Sequence, residues 1–174
     1  TKEEERLQNI LEESSKKLSI KRFISWDCVN GLQGVLNDKG KFLNNPLGVL
    51  NWFKGQSSEL STILFVKDFH KFYEDPSIFR TIKELSYLLR SNSNNLIFSS
   101  HKLPSSEELD DLVTIINLPL PDQNELVKLI RKIALNTNSN LSESDLNQIA
   151  LAASGLSETR VKQVAAKALT KRGK

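Results

Sequence analysis

The sequence predicts an α/β protein in which a parallel sheet is followed by a group of helices. Residues 62–70 (TILFVKDFH) contain a short, continuous apolar run, residues 63–66, which is typical of a strand buried on both faces of a parallel sheet. Strand-like runs alternate with helical patterns as far as about residue 119, whereas three helical patterns follow one another beyond it. We therefore expect an α/β domain over residues 1–119 and a three-helix domain over residues 120–174.

The first quarter of the chain predicts a helix, a strand, a loop and a second helix. Leucine and isoleucine recur at helical spacing among charged residues over residues 2–18, which predicts an amphipathic helix. Lys21–Cys28 (KRFISWDC) predicts a strand in which Cys28 is buried. The glycines of residues 30–46 predict a loop. Pro46 suits the first turn of a helix, which we expect to end near Gly55.

The middle of the chain predicts one helix between strands. Asp75 followed by Pro76 is typical of an N-cap and a first helical position, and a helical face of isoleucine, leucine and phenylalanine follows. Residues 95–100 (NLIFSS) predict a third strand and residues 113–118 (VTIINL) a fourth. In the C-terminal part, each of the three helices is expected to start at a capping residue: Asp122, Ser142 and Ser157.

Composition narrows the possible classes of function. The 24 Lys and Arg are interleaved with 21 Asp and Glu, so no basic stripe for nucleic acid stands out. The one cation cluster, Lys167, Lys171, Arg172 and Lys174, suits either a solvated last helical turn or an anionic partner. A single cysteine excludes an internal disulfide and a cysteine-based zinc site. No apolar run is long enough for a membrane span, and we expect a cytoplasmic or equivalent reducing location.

Ionisable residues follow the central strand, where the carboxyl end of a parallel strand presents ligand-binding groups. Lys67, Asp68 and His70 lie there, and His101 follows the next strand along the chain. One hypothesis is an enzyme that uses Asp68, His70 and His101 for acid–base chemistry. The alternative is a solvated strand end without chemistry. The two histidines lack a metal-binding spacing, so we predict no metal site.

Two further stretches carry a family resemblance. Residues 115–130 (IINLPLPDQNELVKLI) run from a strand through a Pro-x-Pro-Asp turn into a capped helix, and Gly155-Leu156-Ser157 precedes the last helix. In both respects the chain resembles the AAA+ ATPases, a P-loop NTPase-like fold in which a parallel-sheet domain is followed by a helical lid. The resemblance implies that residues 62–70 correspond to the Walker B strand, and that Ser100 or His101 corresponds to the first sensor.

The AAA+ catalytic motifs are degenerate in this sequence. Aligned with the Walker B residues Asp-Glu, the chain has either Lys67-Asp68 or Asp68-Phe69. Residues 107–111 carry four carboxylates where active members have an arginine-rich stretch. No G-x-x-x-x-G-K-[ST] motif occurs, and residues 2–6 (KEEER) instead bring three carboxylates to a helix N-terminus, where phosphates would bind. These departures imply the loss of the groups on which phosphoryl transfer depends.

With residues 65–70 (FVKDFH) and 100–122 (SHKLPSSEELDDLVTIINLPLPD), nearly the whole chain resembles a narrower group, the uncharacterised AAA-domain proteins of cyanobacteria and algal plastids. The resemblance implies a non-catalytic, degenerate AAA module of a larger ATPase, lacking its first strand, in the cytoplasm or plastid stroma. ATP and magnesium would then serve the parent protein, with no cofactor for this chain. The partners implied are other proteins or an AAA-type ring. A residual nucleotide-binding module and a nucleic-acid-binding domain of clamp-loader or helicase-loader type remain the alternatives.

Overall fold

The computed structural model describes residues 3–35, 43–57, 59–100 and 112–171. For residues 169–171 it describes the backbone but not the side chains. It divides into two compact units, the first reaching Ile116 and the second beginning at Asn117. The first unit is an α/β structure with three helices and a four-stranded sheet among its described residues, and the second contains three helices.

The sheet of the first unit contains β1 (Arg22–Asp27), β2 (Gly31–Gln33), β3 (Thr62–Val66) and β4 (Asn95–Phe98), in the spatial order β2-β1-β3-β4. β1, β3 and β4 are parallel, and β2 is antiparallel to β1, so the sheet is mixed. All five residues of β3 are buried, which agrees with the sequence-based prediction of a central strand. The register places Val66 beside Trp26 and Phe98, so that the three parallel strands end at one edge.

Three helices accompany this sheet: α1 (Glu4–Lys17), α2 (Pro46–Lys54) and α3 (Pro76–Leu89). The predicted N-cap of α3 is confirmed, because the Asp75 carboxylate accepts hydrogen bonds from the amides of Ser77 and Ile78. The buried side chains of α2 and α3 join those of the strands in one hydrophobic core. Among its members are Ile24, Trp26, Val49, Leu50, Leu64, Val66, Phe69, Ile82 and Leu85.

Two predictions for the region after β1 are wrong. Residues 31–33 were expected in a loop but form β2, with Leu32 almost fully buried. Positive φ angles at Gly31 and Gly34 allow this tight return, and a Cβ atom at Gly34 would lie 2.8 Å from the Phe23 carbonyl oxygen. Cys28 was expected to be buried in β1 but is exposed, because the strand ends at Asp27 and Cys28 begins the turn.

The predicted fourth parallel strand does not form. Residues 113–118 have no regular secondary structure, and Ile116 is 85% exposed. A strand forms only where its backbone N–H and C=O groups meet those of a neighbour. Within the described ranges the sheet ends at β4, which pairs only with β3. The apolar composition of the segment is therefore insufficient to make it a strand here.

The second unit contains α4 (Gln123–Asn136), α5 (Glu143–Ala152) and α6 (Glu158–Lys171). The predicted starts of α4 and α5 are confirmed as capping boxes, formed by Asp122 with Glu125 and by Ser142 with Asp145. At the start of α6, the Ser157 hydroxyl accepts a hydrogen bond from the Arg160 amide. A separate core holds the helices together and consists of Leu126, Ile130, Leu146, Ala150, Ala153 and Val161.

None of the helices in the described ranges is both long and apolar enough to cross a membrane.

Candidate functional site

The carboxyl ends of β1, β3 and β4 bring polar residues together at one edge of the sheet. Backbone pairing continues one residue past the strands, because the Lys67 amide donates to the Trp26 carbonyl and the Ser99 amide donates to the Val66 carbonyl, both at 2.9 Å. Lys67 and Ser99 therefore take fixed positions at this edge. In open α/β sheets, ligands bind outside the carboxyl ends of the strands, which makes this edge the candidate site.

The first turn of α1 brings a carboxylate to the same edge. The Ser99 hydroxyl donates to Glu4 Oε2 at 3.2 Å, and Glu4 Oε1 lies 4.0 Å from Lys67 Nζ. Ser99 itself is almost fully buried, whereas the Glu4 and Lys67 side chains are 31% and 18% exposed. The Glu4 carboxylate thus contacts one neutral and one cationic side chain at this edge.

Two more charged residues begin α1. Glu3 and Arg6 are each 7% exposed, and Arg6 Nη1 lies 3.0 Å from Glu3 Oε2. Because an uncompensated charge is costly to bury, this ion pair lets both side chains leave water at the helix N-terminus. The acidic first turn, Glu4 and Glu5, also suits the positive end of the helix dipole. The chain's own carboxylates thus supply the negative charge that favours the start of α1.

Asp68 and His70 lie just beyond β3 but face different surroundings. Asp68 has a left-handed backbone conformation (φ 49°), which aspartate tolerates better than most residues, and its side chain is 67% exposed. Its amide donates to Ser99 Oγ at 3.4 Å. His70 lies in a short 3-10 turn, Phe69–Lys71, and its side chain is 6% exposed. His70 Nδ1 is 3.9 Å from Asp68 Oδ1, which is longer than a hydrogen bond.

An aromatic cluster underlies the turn that carries His70. Phe69 is fully buried and stacks on Phe98 with 5.0 Å between ring centroids, while Trp26, Phe72 and Tyr73 meet it at tilted or edge-on angles. Burial raises the pKa of Tyr73 to about 12. The 3-10 turn is therefore held by the Phe69 ring within the hydrophobic core, which fixes the chain where it leaves β3.

Asp27 ends β1 and organises the turn into β2. Its carboxylate accepts hydrogen bonds from the amides of Val29 (2.9 Å) and Asn30 (2.7 Å), and from the side chains of Asn30 and Gln33. Partial burial opposes its ionisation, but the hydrogen bonds from Asn30 and Val29 and the charge of Lys67 outweigh that effect and lower the pKa of Asp27. This carboxylate is saturated with donors from its own turn, which indicates a structural role.

The sequence-predicted site residues are only partly brought together. Lys67 joins Glu4 and Ser99, and Asp68 joins Ser99 through its amide. Ser100 is half-buried directly after Ser99, and His101 lies outside the described residues. Sequence reasoning did not select Ser99. Its position directly after β4 was a usable signal, because Val66 and Phe98 are paired at the ends of their strands and the residues that follow them lie at the same edge.

The described part of the chain holds no group of three or more His, Cys, Asp or Glu residues that could bind a metal ion. At the candidate site, the described contacts link the Glu4 carboxylate to the Ser99 hydroxyl and to the Lys67 ammonium.

Family models identify the architecture on which this edge is built. Residues 1–118 match the N-terminal domain of the SpoVK-like AAA ATPases, and residues 124–174 match the second domain of the same family. The chain belongs to the SpoVK-like AAA ATPase family. Both matches lie within one family, in chain order, and together they account for nearly the whole sequence.

Relatives from algae match over almost the full chain. Over 167 residues, 96% of this chain, the chain is 30% identical to the AAA domain-containing protein ycf46 of Guillardia theta and to that of Pyropia yezoensis. It spans about a third of the length of these curated relatives, 33% and 34% respectively.

Among solved structures, the FIGL-1 AAA domain in complex with ADP has a similar fold. The TM-score is 0.59 at 13% sequence identity, with 72% of this chain and 46% of that chain covered. At this identity the likeness concerns the fold alone, and it confirms the predicted α/β, AAA+-like fold class.

Proposed function

We propose that this chain is a non-catalytic, pseudo-ATPase AAA module of a larger AAA ATPase, where it serves assembly, regulation or partner binding. Residues 1–119 would form its degenerate AAA-like domain and residues 120–174 a lid-like domain. ATP and magnesium would serve the parent protein through other parts of it. The parent would reside in the cytoplasm or a plastid stroma and act with protein partners or as an AAA-type ring.

One observation carries this proposal: the Glu4 carboxylate lies against Ser99 and Lys67 at the carboxyl ends of the strands. Phosphoryl transfer depends on cations and backbone N–H groups that converge on the phosphates. A fixed carboxylate at this edge repels a phosphate and neutralises Lys67. These residues therefore do not fit the phosphates of a nucleotide with its magnesium ion.

The sequence supports the proposal independently of this geometry. No G-x-x-x-x-G-K-[ST] motif occurs in the 174 residues, so the chain lacks the glycine-rich loop whose amides cradle phosphates. Lys67 and Asp68 stand where the Walker B carboxylates would be expected from the family resemblance. We infer that hydrolysis by this chain would be slower by orders of magnitude than in an intact AAA ATPase.

Residual nucleotide binding is the second candidate function. It is favoured by the Lys67 ammonium, which lies at the strand ends close to Glu4 rather than in bulk solvent. A nucleotide could then bind only by displacing Lys67 from that carboxylate. Such a module would act as a nucleotide sensor without being an enzyme.

A titration with a fluorescent ATP analogue and magnesium tests the proposal. Trp26, which is fully buried, and Trp52 provide the intrinsic fluorescence for energy transfer. We expect no saturable signal up to millimolar nucleotide. Saturable binding at micromolar nucleotide would overturn the proposal and favour the sensor. In that case Lys67→Ala should weaken binding, whereas Lys71→Ala, a matched control on the 3-10 turn, should leave it unchanged.

A further inference from the structure

The second unit has an apolar groove between two of its helices. α4 packs against both α5 and α6, whereas α5 and α6 make few contacts with each other. The space between them is an open groove of about 270 Å³. Its floor and walls are aliphatic, and they include Ile130, Ile149, Ala153, Val161, Val164 and Ala165.

One wall of the groove is exposed rather than sealed. Val161 and Ala165 of α6 are buried against the unit's own core, but Val164 is 50% exposed and Ala168 is also exposed. On α5 the lining residue Ala152 is also exposed. Apolar side chains on both sides of a groove are a surface that a helix with its own apolar stripe can cover.

The exposed charges that α6 carries beside Val164 are basic, whereas Asp145 at the start of α5 is held in the capping box with Ser142. Arg160 and Lys167 are exposed and seven residues apart, so they lie on the same side of α6, next to the exposed Val164. The acidic residue of α6, Glu158, lies toward the other side, where it pairs with Lys162 at 2.9 Å. Residues 117–174 as a whole carry nine Lys and Arg against five Asp and Glu.

From this combination we propose that the groove binds an amphipathic helix of a partner protein that carries carboxylates along one flank. The partner's aliphatic side chains would enter the groove between α5 and α6, and its carboxylates would meet Arg160 and Lys167. An apolar groove favours such a helix over a nucleic acid, whose binding would need phosphate contacts and stacking aromatic residues. This inference rests on the partner-binding role proposed above and names its surface.

The test is fluorescence anisotropy with the full 174-residue chain and two designed peptides. The first is a labelled helical peptide with leucines one turn apart and glutamates along one flank; the second is identical except that lysines replace the glutamates. We expect saturable binding of the acidic peptide only, weakening as salt is raised. Equal binding of both peptides, or none of the acidic peptide, would overturn the proposal.

Variants then locate the binding surface. Val164→Asp should lower the affinity for the acidic peptide by about tenfold or more, because it places a carboxylate in the groove. Arg160→Glu combined with Lys167→Glu should also weaken binding. Lys132→Glu is the matched control, since Lys132 is exposed on the side of α4 opposite Ile130. Circular dichroism shows whether the Val164→Asp variant is folded. If that variant does not fold, the double variant Arg160→Glu with Lys167→Glu still tests whether the peptide binds at this surface.

Other occupants would give different results, each of which contradicts the proposal. A wild-type chain that is dimeric and becomes monomeric with Val164→Asp would assign the groove to a second copy. Binding of single-stranded RNA that is lost with the charge reversal, without peptide binding, would assign the cations to nucleic acid. A failed peptide titration leaves the nucleotide titration unaffected, so the failures of the two proposals can be told apart.

Discussion

Two apolar runs of similar composition differ in this molecule in both secondary structure and burial. Residues 62–66 (TILFV) form the central strand and are buried at every position. Residues 113–118 (VTIINL) form no strand, and residues 114–117 are exposed. The difference lies in their neighbours, because β3 pairs with β1 on one side and β4 on the other. An apolar β-prone sequence becomes a strand where other strands satisfy its backbone groups.

The largest difference in stability is expected when one aliphatic side chain in each run is replaced by alanine. Leu64→Ala should lower the free energy of unfolding by about 2–5 kcal/mol, because Leu64 is fully buried and the change leaves a cavity. Ile116→Ala should change it by less than about 0.5 kcal/mol, since that side chain is 85% exposed. Urea unfolding followed by tryptophan fluorescence measures both values. Equal effects would show that residues 113–118 are packed.

The next test concerns α3, whose buried side chains share the hydrophobic core with those of β3. Asp75→Ala should cost about 1 kcal/mol, because it removes the side-chain acceptor for the amides of Ser77 and Ile78 at the start of α3. Asp75→Asn, which retains an acceptor, should restore most of the stability. The same urea experiment applies, and an Asn variant as unstable as the Ala variant would rule out a capping role.

A double-mutant cycle probes the polar end of β3 and β4. Glu4→Ala and Ser99→Ala should show a coupling energy of about 0.5–1.5 kcal/mol, as expected for one hydrogen bond, since the Glu4 carboxylate is partly exposed. A cycle of Ser99→Ala with Glu12→Ala is the control, because Glu12 lies two turns further along α1 and bonds Gln8. Zero coupling in the first cycle would mean that Glu4 does not reach the strand ends.

The last test is the titration of Tyr73, which contacts Phe69 and Phe98 beside the end of β3. This titration leaves stability at neutral pH unchanged. Its pKa is raised from 10.0 to about 12 by burial, so the neutral phenol is favoured by folding. That contribution is complete below pH 10 and is lost as the pH rises from about 10 to about 12. In a Tyr87→Phe variant, phenolate absorbance reports Tyr73 alone, because the chain has two tyrosines. A midpoint near 10 in the folded protein would contradict the burial of this ring.

Local signals in the sequence predicted the helices well. Asp75, Asp122 and Ser142 each accept the backbone hydrogen bonds that define a helix start, and these bonds depend on residues two or three positions away. The buried β3 was equally predictable, since the four successive apolar residues 63–66 fit a strand covered on both faces. Wherever short-range chemistry determines the structure, the sequence was sufficient.

The errors concern features that depend on distant neighbours. The strand predicted at residues 113–118 lacks a pairing partner in the described ranges, and β2 exists because β1 is there to pair with it. For the candidate site, the carboxylates at the start of α1 were noticed in sequence, but their contact with Ser99, 95 residues away, was not. Sequence spacing alone does not reveal which side chain of one element meets which of another.

The measurement that tests the central proposal most directly is the melting temperature of the full chain with magnesium ions, in the presence and absence of ATP. A ligand that binds only the folded state stabilises it, by about 2.7 kcal/mol when its concentration is a hundred times Kd. Our account predicts the same melting temperature at every ATP concentration up to millimolar. A rise that saturates with ATP would contradict it and show that the strand-end edge still receives a nucleotide despite Glu4.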